Sequence, residues 1–298
     1  MEFEPITLGD KELINNFLRQ QRYVNCECSF GNLYIWQHCF STAKALTDDF
    51  LIIRGTEDEE YILPPFGSDY QNLAKVLDEV AAYFHKEGKH FCLHGASPEF
   101  KEVLQTICPD KYEYLPLRDG WDYVYSWRDL AFLAGRKYHA KRNHLNYFKK
   151  TYPDYEYRPL TEDLKEGCLK MAERWREKKG DVNDPTFQCE KNAIIKGLNH
   201  FSELDFRGGV ILLEGEVAAF TFGEELNEDT AVIHIEKSDP DIRGLYVAIN
   251  QEFCQHSWAE KDYINREEDL GLPGLRKAKE SYYPVMMNEK YKVILKQE

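Results

Sequence analysis

The order of apolar and polar positions near the end of the chain predicts a strand, a helix, a second strand and a second helix. The first strand is a short apolar run rich in β-branched residues, and Pro240 follows it because proline cannot continue a central strand. The first helix has Leu245, Ile249 and Phe253 on one face at helical spacing. The four elements are predicted over residues 230–235, 243–261, 262–265 and 275–282.

The first half of the chain carries elements of the same kinds in the same order, without useful residue identity. They are predicted over residues 60–63, 68–88, 91–94 and 98–107. Each half is expected to close with a β-hairpin, over 112–127 and 284–295. A repeated order of elements indicates a tandem repeat. We therefore expect an α/β (α+β) fold of two halves, each a mixed, mostly antiparallel sheet flanked by helices.

A basic segment separates the two halves and is predicted to form one joining helix from Leu130 to Lys150. Between Arg128 and Lys150 the chain has seven Lys or Arg residues and one acid, although its overall net charge is −14. Such a helix is either a solvated linker or a phosphate-binding surface. The predicted domains are residues 1–127, the basic linking helix 128–153, and 154–298.

Composition limits the partners and the compartment. A net charge of −14 disfavours non-specific binding of nucleic acids or anionic membranes. No run approaches the roughly 18 apolar residues of a membrane span, and the first residues lack the features of a signal peptide. We expect a cytoplasmic protein without membrane insertion. The pair Cys26 and Cys28 has no second Cys or His pair at zinc spacing nearby, so no metal is expected.

The turn before the helix at 243–261 has two features of an anion site. The first N–H groups of a helix lack intrahelical partners and carry partial positive charge. Gly244 at this position would let a ligand approach the backbone closely. Together these features predict a phosphate site over residues 243–247. The alternative is that Gly244 only eases the turn from strand to helix.

Several segments resemble a known family. Residues 243–248 stand where GNAT acyltransferases place their pyrophosphate-binding turn, although bulky Tyr246 replaces the second small residue of the usual turn. The whole chain is similar to cytoplasmic relatives of the phosphatidylglycerol lysyltransferase C-terminal domain, a tandem GNAT-like family. The segments that carry this resemblance, of which the last two are the most specific, are 30–36, 141–144, 234–237, 265–271 and 274–279.

The resemblance implies an acyltransferase or aminoacyltransferase that acts on the amine or hydroxyl of a small polar acceptor. The donor would be coenzyme A carrying an acyl group, or an aminoacyl-tRNA held through residues 136–150. We favour acyl-CoA, because a single-glycine turn suits a compact pyrophosphate and an acidic surface disfavours a large polyanion. The alternative is a non-catalytic GNAT-fold protein that binds CoA, a nucleotide-like ligand or a peptide.

Acyl transfer requires a base, a group that stabilises the oxyanion and an acid for the leaving group. The predicted catalytic residues are His234, Glu236, Glu267 and Tyr282; the tyrosine is assigned from the resemblance, since GNAT enzymes often use one after the last helix. The predicted cofactor-binding residues are Lys237, Arg243, Gly244, Leu245, Tyr246 and Val247. The predicted substrate-binding residues are Asn265, Asp269, Arg276 and Lys279.

Two pairings underlie these assignments. Strand alternation places His234 and Glu236 on one face, where a strand-end ion pair with Lys237 is the structural alternative. Arg276 and Lys279 share a helix face and predict an anion clamp. With the neighbouring acidic loop, this clamp would suit a zwitterionic acceptor that resembles an amino acid.

Overall fold

The chain forms two compact units that are discontinuous in sequence. The structure is a computed structural model that describes residues 1–47, 49–68, 70–179 and 185–296. The first unit comprises Met1–Asp122, Glu268–Arg276 and Met287–Glu298, and the second comprises Tyr123–Glu267 and Lys277–Met286. Residues 128–153, predicted as the joining helix, belong by their contacts to the second unit.

The secondary structure alternates helices and strands along the chain. The α-helices in the described residues are α1 (Lys11–Leu18), α2 (Phe30–Ile35), α3 (Gln37–Phe40), α4 (Leu73–Lys86), α5 (Pro98–Ile107), α6 (Trp127–Phe132), α7 (His139–Thr151), α8 (Lys165–Lys179), α9 (Pro185–Asn199), α10 (Leu245–Ser257) and α11 (Pro273–Glu280). The strands there are β1 (Glu4–Pro5), β2 (Ala43–Thr47), β3 (Phe50–Thr56), β4 (Glu60–Ile62), β5 (Cys92–Ala96), β6 (Tyr112–Pro116), β7 (Asp122–Ser126), β8 (Glu156–Pro159), β9 (Arg207–Leu213), β10 (Glu216–Glu225), β11 (Thr230–Ser238), β12 (Tyr263–Asn265), β13 (Met286–Asn288) and β14 (Tyr291–Leu295).

These strands form two seven-stranded mixed sheets. The first has the order β1-β2-β3-β4-β5-β14-β6, and the second has the order β13-β7-β12-β11-β10-β9-β8. In each sheet one central pair is parallel, β4 with β5 and β11 with β12. The prediction of two mixed, mostly antiparallel sheets flanked by helices is confirmed.

Helix α4 covers one face of the first sheet because its apolar residues recur at helical spacing. Leu73, Leu77, Val80 and Phe84 are fully buried against strands β3, β4 and β5. The chain leaves this helix at Gly88, whose φ of +68° suits glycine. The helix predicted over residues 68–88 is therefore confirmed over Leu73–Lys86.

Both predicted closing hairpins are wrong. β6 lies in the first sheet, where it pairs with β14, and β7 lies in the second, where it pairs with β12. β13 and β14 are divided between the two sheets in the same way. Consecutive strands with a short turn usually pair, but here the backbone N–H of Leu117 donates to the carbonyl of Lys290. These non-local bonds leave no signal in the turn sequence.

The single long helix predicted over 130–150 is also wrong. Helix α6 ends at Phe132, and Leu133 and Gly135 follow with φ values of +49° and +85°. Helix α7 then begins at His139. The apolar periodicity continues across this break, so periodicity alone could not reveal it. No helix in the described part of the chain is long and apolar enough to cross a bilayer.

Candidate functional site

Two central strands of the second unit, β11 and β12, pair over only part of the length of β11. β11 pairs with β12 only at Thr230–Tyr263, Ala231–Ile264 and Val232–Asn265. Its other edge remains paired with β10 up to Ser238. Beyond Val232, β11 therefore forms no ladder with β12. Backbone N–H and C=O groups need partners, so a strand edge without a ladder is suited to an extended polar ligand.

An ion pair links the two strands beyond the end of their ladder. The Arg266 Nη2 is 2.8 Å from the Glu236 Oε1, and the Asn250 side-chain amide donates to Oε2 at 2.9 Å. The Arg266 Nη1 and the Asn250 Oδ1 are buried and have no hydrogen-bond partner within the described residues. Buried polar groups are normally satisfied, so these two atoms mark binding capacity that the chain itself does not use.

Tyr282 and Lys141 lie beside this ion pair. The Arg266 guanidinium is 4.9 Å from the centroid of the Tyr282 ring, and the Lys141 Nζ is 3.6 Å from it. The Lys141 Nζ also donates to the Ser281 hydroxyl at 2.6 Å. Burial, helped by the positive charge of Arg266 and opposed by Glu236, lowers the pKa of Lys141 to about 8. Lys141 can therefore exchange a proton near neutral pH.

We call Lys141, Glu236, Asn250, Arg266 and Tyr282 the strand-gap cluster. It joins two of the predicted catalytic residues, Glu236 and Tyr282, and adds three that were not assigned to catalysis. Burial raises the pKa of Tyr282, so its phenol stays protonated at neutral pH. The cluster combines a guanidinium with an unused donor, an amine of lowered pKa and a buried phenol.

The other two predicted catalytic residues form a separate cluster. The His234 Nδ1 is 2.8 Å from the Glu267 Oε1, and its Nε2 is 2.9 Å from the Glu224 Oε1. Burial opposes a charged imidazole, but the hydrogen bonds to these two carboxylates outweigh it and raise the pKa of His234 to about 9. The imidazole is therefore protonated at neutral pH, when it cannot act as a base.

A β-bulge explains why His234 and Glu236 serve different clusters. Phe222 pairs with Ile235 but Gly223 pairs with Ile233, so His234 is the extra residue. A Cβ at Gly223 would clash with the backbone carbonyl of β11, so this register requires glycine there. The bulge breaks the simple alternation from which a shared face was predicted.

The turn at Gly244 is filled by the chain itself. Gly244 has a φ of +90°, and a Cβ there would clash with the carbonyl oxygen of His144 in α7. The first amides of α10 bond within the turn, those of Val247 and Ala248 to the Gly244 carbonyl. As it stands, the turn does not offer the open cradle that a pyrophosphate requires.

The remaining residues predicted to bind the cofactor also have internal partners. Arg243 lies 4.7 Å from the Tyr147 ring, and Tyr246 accepts a hydrogen bond from the Trp175 indole at 2.7 Å. Leu245 and Val247 are buried. The buried Lys237 is 2.6 Å from Glu190, and it lines a cavity of about 340 Å³ between α8 and α9.

The predicted substrate-binding residues are divided between the two units, and each has partners within its own unit. In the first unit, the Arg276 Nε and Nη2 donate to Asp269 at 2.8 Å each, and Nη2 also donates to Asp119 at 2.6 Å. In the second unit, the buried Lys279 ammonium donates to the carbonyl of Arg266. Asn265 is buried and accepts the N–H of Glu267 at 2.8 Å. The two predicted clamp cations are thus bound to acceptors of their own chain.

Most of the predicted RNA-binding side chains also have intramolecular partners. Lys137 lies 2.8 Å from Asp129, Lys149 lies 3.4 Å from Glu252, and Lys141 belongs to the strand-gap cluster. Arg142 donates to the carbonyls of Leu133 and Gly135. A shallow depression of about 670 Å³ is nevertheless lined by basic residues of this segment, including Arg136 and His139. RNA binding through 136–150 remains a prediction.

Sequence reasoning missed Arg266, Asn250 and Glu224 as site residues. Arg266 was visible as the first basic residue after a short predicted strand, where functional side chains are common in α/β folds. Asn250 was a polar residue inside a predicted amphipathic helix. Their common role depends on the separation of β11 and β12, for which the sequence has no marker.

Comparison with known proteins agrees with this architecture. A family model described as "Phosphatidylglycerol lysyltransferase, C-terminal" matches residues 19–294. A conserved protein of unknown function from Bacteroides thetaiotaomicron has 38% identity over 99% of this chain and 100% of that chain, with a TM-score of 0.93. An uncharacterised protein of Mycoplasmoides gallisepticum is 22% identical, and the match spans 58% of this chain but only 55% of that protein.

Two more distant structures share the fold. L-PGS from Bacillus licheniformis has a TM-score of 0.66 at 15% identity, covering 99% of this chain and 93% of that chain. A tandem GNAT protein from the clavulanic acid biosynthesis pathway has a TM-score of 0.51 at 9% identity, covering 98% of this chain and 97% of that one. The fold is therefore a tandem GNAT-like fold.

Proposed function

This chain belongs to the phosphatidylglycerol lysyltransferase C-terminal family, and we propose that it transfers an acyl or aminoacyl group to the amine or hydroxyl of a small polar acceptor. The reaction takes place in the second unit, where β11 and β12 separate. Proteins of this fold include a tandem GNAT protein and an L-PGS. The fold shared with these two proteins supports the proposal.

The observation that carries the proposal is the Arg266 guanidinium beside the part of β11 that does not pair with β12. Its Nη2 is fixed by Glu236 at 2.8 Å, whereas Nη1 is buried without a partner within the described residues. An oriented donor in a site of low dielectric stabilises a developing oxyanion strongly. We assign Nη1 to the carbonyl oxygen of the donor ester or thioester, which becomes the oxyanion.

Lys141 supplies the proton transfer in this proposal. Its pKa of about 8 leaves part of the amine neutral near neutral pH, so it can take the proton from the attacking acceptor. The acceptor nitrogen or oxygen forms a bond to the carbonyl carbon, and the resulting ammonium of Lys141 returns the proton to the leaving thiolate or alkoxide as the C–S or C–O bond breaks. Tyr282 positions the amine through its ring, 3.6 Å away.

Glu236, His234 and Glu267 are not assigned as the catalytic base. Glu236 orients Arg266 instead of acting as the base, since both its oxygens are already hydrogen-bonded. His234 and Glu267 stabilise the bulge on β11, because the imidazole is protonated and enclosed by two carboxylates. Donor recognition is not assigned to the turn at Gly244, which α7 already fills. The proposal therefore covers an acyl thioester and an aminoacyl ester alike.

The test is a transfer assay with mass-spectrometric detection. Acyl-CoA thioesters and aminoacyl-tRNAs are offered separately with a panel of amino acids, amines and hydroxylated small molecules. We expect an acylated acceptor with one donor class, and loss of that product with Arg266→Met. Donor binding without product for any acceptor would favour the non-catalytic binding protein. Product formation that Arg266→Met leaves unchanged would place the reaction elsewhere.

A further inference from the structure

A cysteine, a histidine and a glutamate that the proposed function does not use converge in the first unit. A thiol, a ring nitrogen and a carboxylate oxygen from Cys92, His94 and Glu59 all lie within 4.8 Å of one another. Cys92 and His94 stand two residues apart on β5 and so share one face of the strand. Glu59 directly precedes β4, which pairs with β5 in parallel. Two of the three donor atoms are thus carried by one strand, and the Glu59 carboxylate interacts with the Cys92 thiol and with Lys292.

The imidazole of His94 has the features of a metal ligand. The His94 Nε2 is buried and has no hydrogen-bond partner within the described residues. The ring is fixed by stacking on Tyr61, with centroids 4.5 Å apart and an interplanar angle of 11°.

We propose that Glu59, Cys92 and His94 bind one divalent transition-metal ion, and that Zn²⁺ matches them best. Zinc binds sulfur, imidazole nitrogen and carboxylate oxygen, and three protein ligands leave a fourth position for water. The thiolate and the carboxylate together balance the charge of the ion. Cys92 is buried as a thiol, so binding forms the metal–sulfur bond, breaks the S–H bond and releases one proton to solvent.

A second cluster of possible metal ligands in the same unit differs from this one, because a buried lysine already occupies it. Cys26, Asp122 and Glu268 also bring their donor atoms within 4.8 Å. There the Lys290 ammonium lies 2.7 Å from Asp122 and 3.5 Å from the Cys26 sulfur. A fully buried ammonium thus occupies the place that a metal would take, and we assign no metal to that cluster.

Lys292 is the competing cation at the proposed site. Its ammonium is paired with Glu59, but its side chain is only partly buried, so it can move to solvent when a metal binds. It is not a hydrogen-bond partner of the His94 Nε2, for which the described part of the chain offers none. Removing this lysine should therefore tighten metal binding, whereas removing any of the three ligands should weaken it.

The experiment uses the full chain without a polyhistidine tag, stripped by a chelator and titrated with Zn²⁺ by calorimetry and with Co²⁺ by absorption spectroscopy. We expect one ion per chain and a thiolate-to-cobalt charge-transfer band. Cys92→Ser should abolish the band, and Glu59→Gln and His94→Gln should each weaken binding by about 10-fold or more. Lys292→Met should bind more tightly than the wild type.

The matched control is Cys168→Ser, since Cys168 is also a buried free thiol but lies in the second unit. This variant should retain the stoichiometry and the band. If Cys92→Ser does not fold, Glu59→Gln decides the question, because Glu59 is partly exposed and its replacement leaves the strands intact. Absence of stoichiometric binding to the wild type, or binding that Glu59→Gln leaves unchanged, would overturn the proposal.

Discussion

The guanidinium of Arg266 reaches from the end of β12 to the carboxylate of Glu236 on β11, with 2.8 Å between Nη2 and Oε1. The pair lies beyond the last ladder position of the two strands, which is Val232 with Asn265. It thus joins the strands where backbone hydrogen bonding has ended. The buried charge of Arg266 is thus compensated by Glu236 where the ladder ends.

Breaking this pair from one side should destabilise the second unit. Glu236→Gln leaves the buried Arg266 charge without its carboxylate, and we expect a loss of about 3–5 kcal/mol in the free energy of unfolding. The double change Glu236→Gln/Arg266→Met removes both charges and should recover much of that loss, with Arg266→Met as the second single variant. Urea denaturation of the single and double variants measures the coupling. Additive losses would show that the pair does not hold the strands together.

The histidine cluster should make stability depend on pH. The pKa of His234 is raised to about 9 in the folded protein, above its unfolded value near 6.5. The stabilisation from the bound proton is therefore complete below about pH 6.5 and is lost as the pH rises through 9, with a change on the order of 3 kcal/mol. Denaturation of wild type and His234→Gln from pH 6 to 10 tests this. The exposed control His256→Gln should keep this decline in stability. If His234→Gln keeps the decline as well, the assignment to His234 is contradicted.

The close contact at Gly244 predicts an unequal effect of adding one methyl group at two glycines. Gly244 and Gly215 have φ values of +90° and +83°, but only Gly244 lies against another segment, the backbone of His144. Gly215→Ala should cost about 1 kcal/mol from backbone strain alone. Gly244→Ala should cost about 1–3 kcal/mol more, because α7 has to shift. Equal losses in urea denaturation would mean that α7 does not pack against this turn.

The elements that sequence predicted best are those whose signal is local. Helix α4 and the buried face of α10, which carries Leu245, Ile249 and Phe253, follow directly from apolar periodicity. The hairpin predictions at 112–127 and 284–295 failed because the partner of each strand is distant in sequence. Local patterns specify that a strand forms, but strand pairing depends on the whole sheet.

In the candidate site too, single residues were predicted from local signals, whereas their grouping was not. Glu236 and Tyr282 were singled out as separate residues, and the structure brings both to Arg266. His234 was separated from Glu236 by a bulge that alternation cannot foresee. Gly244 was noted correctly as a position of close approach, but the approaching group is the backbone of α7. A glycine can indicate that another group lies close to the backbone, but the surrounding sequence does not identify that group.

Lys141 should determine the pH dependence of transfer. Because the base form of a group with a pKa of about 8 is required, kcat/KM should rise with pH and level off above about 8. Lys141→Met should abolish this rise of kcat/KM with pH, which is the basic limb of the profile, together with most of the activity. Burial also lowers the pKa of Lys196 on α9 to about 8, so Lys196→Met is the matched control and should keep the wild-type profile. A limb that persists in Lys141→Met would assign the base to another residue.

The most direct test of a reaction centre between β11 and β12 compares two arginines in the transfer assay. Arg266 and Arg276 are both paired with carboxylates, but Arg276 belongs to the first unit. Arg266→Lys keeps the charge yet loses the donor directed at the oxyanion, so kcat should fall by about 10²–10³-fold, whereas Arg276→Lys should stay within about tenfold of wild type. Equal activity of Arg266→Lys and wild type, with both folded, would contradict a reaction centre at this strand gap.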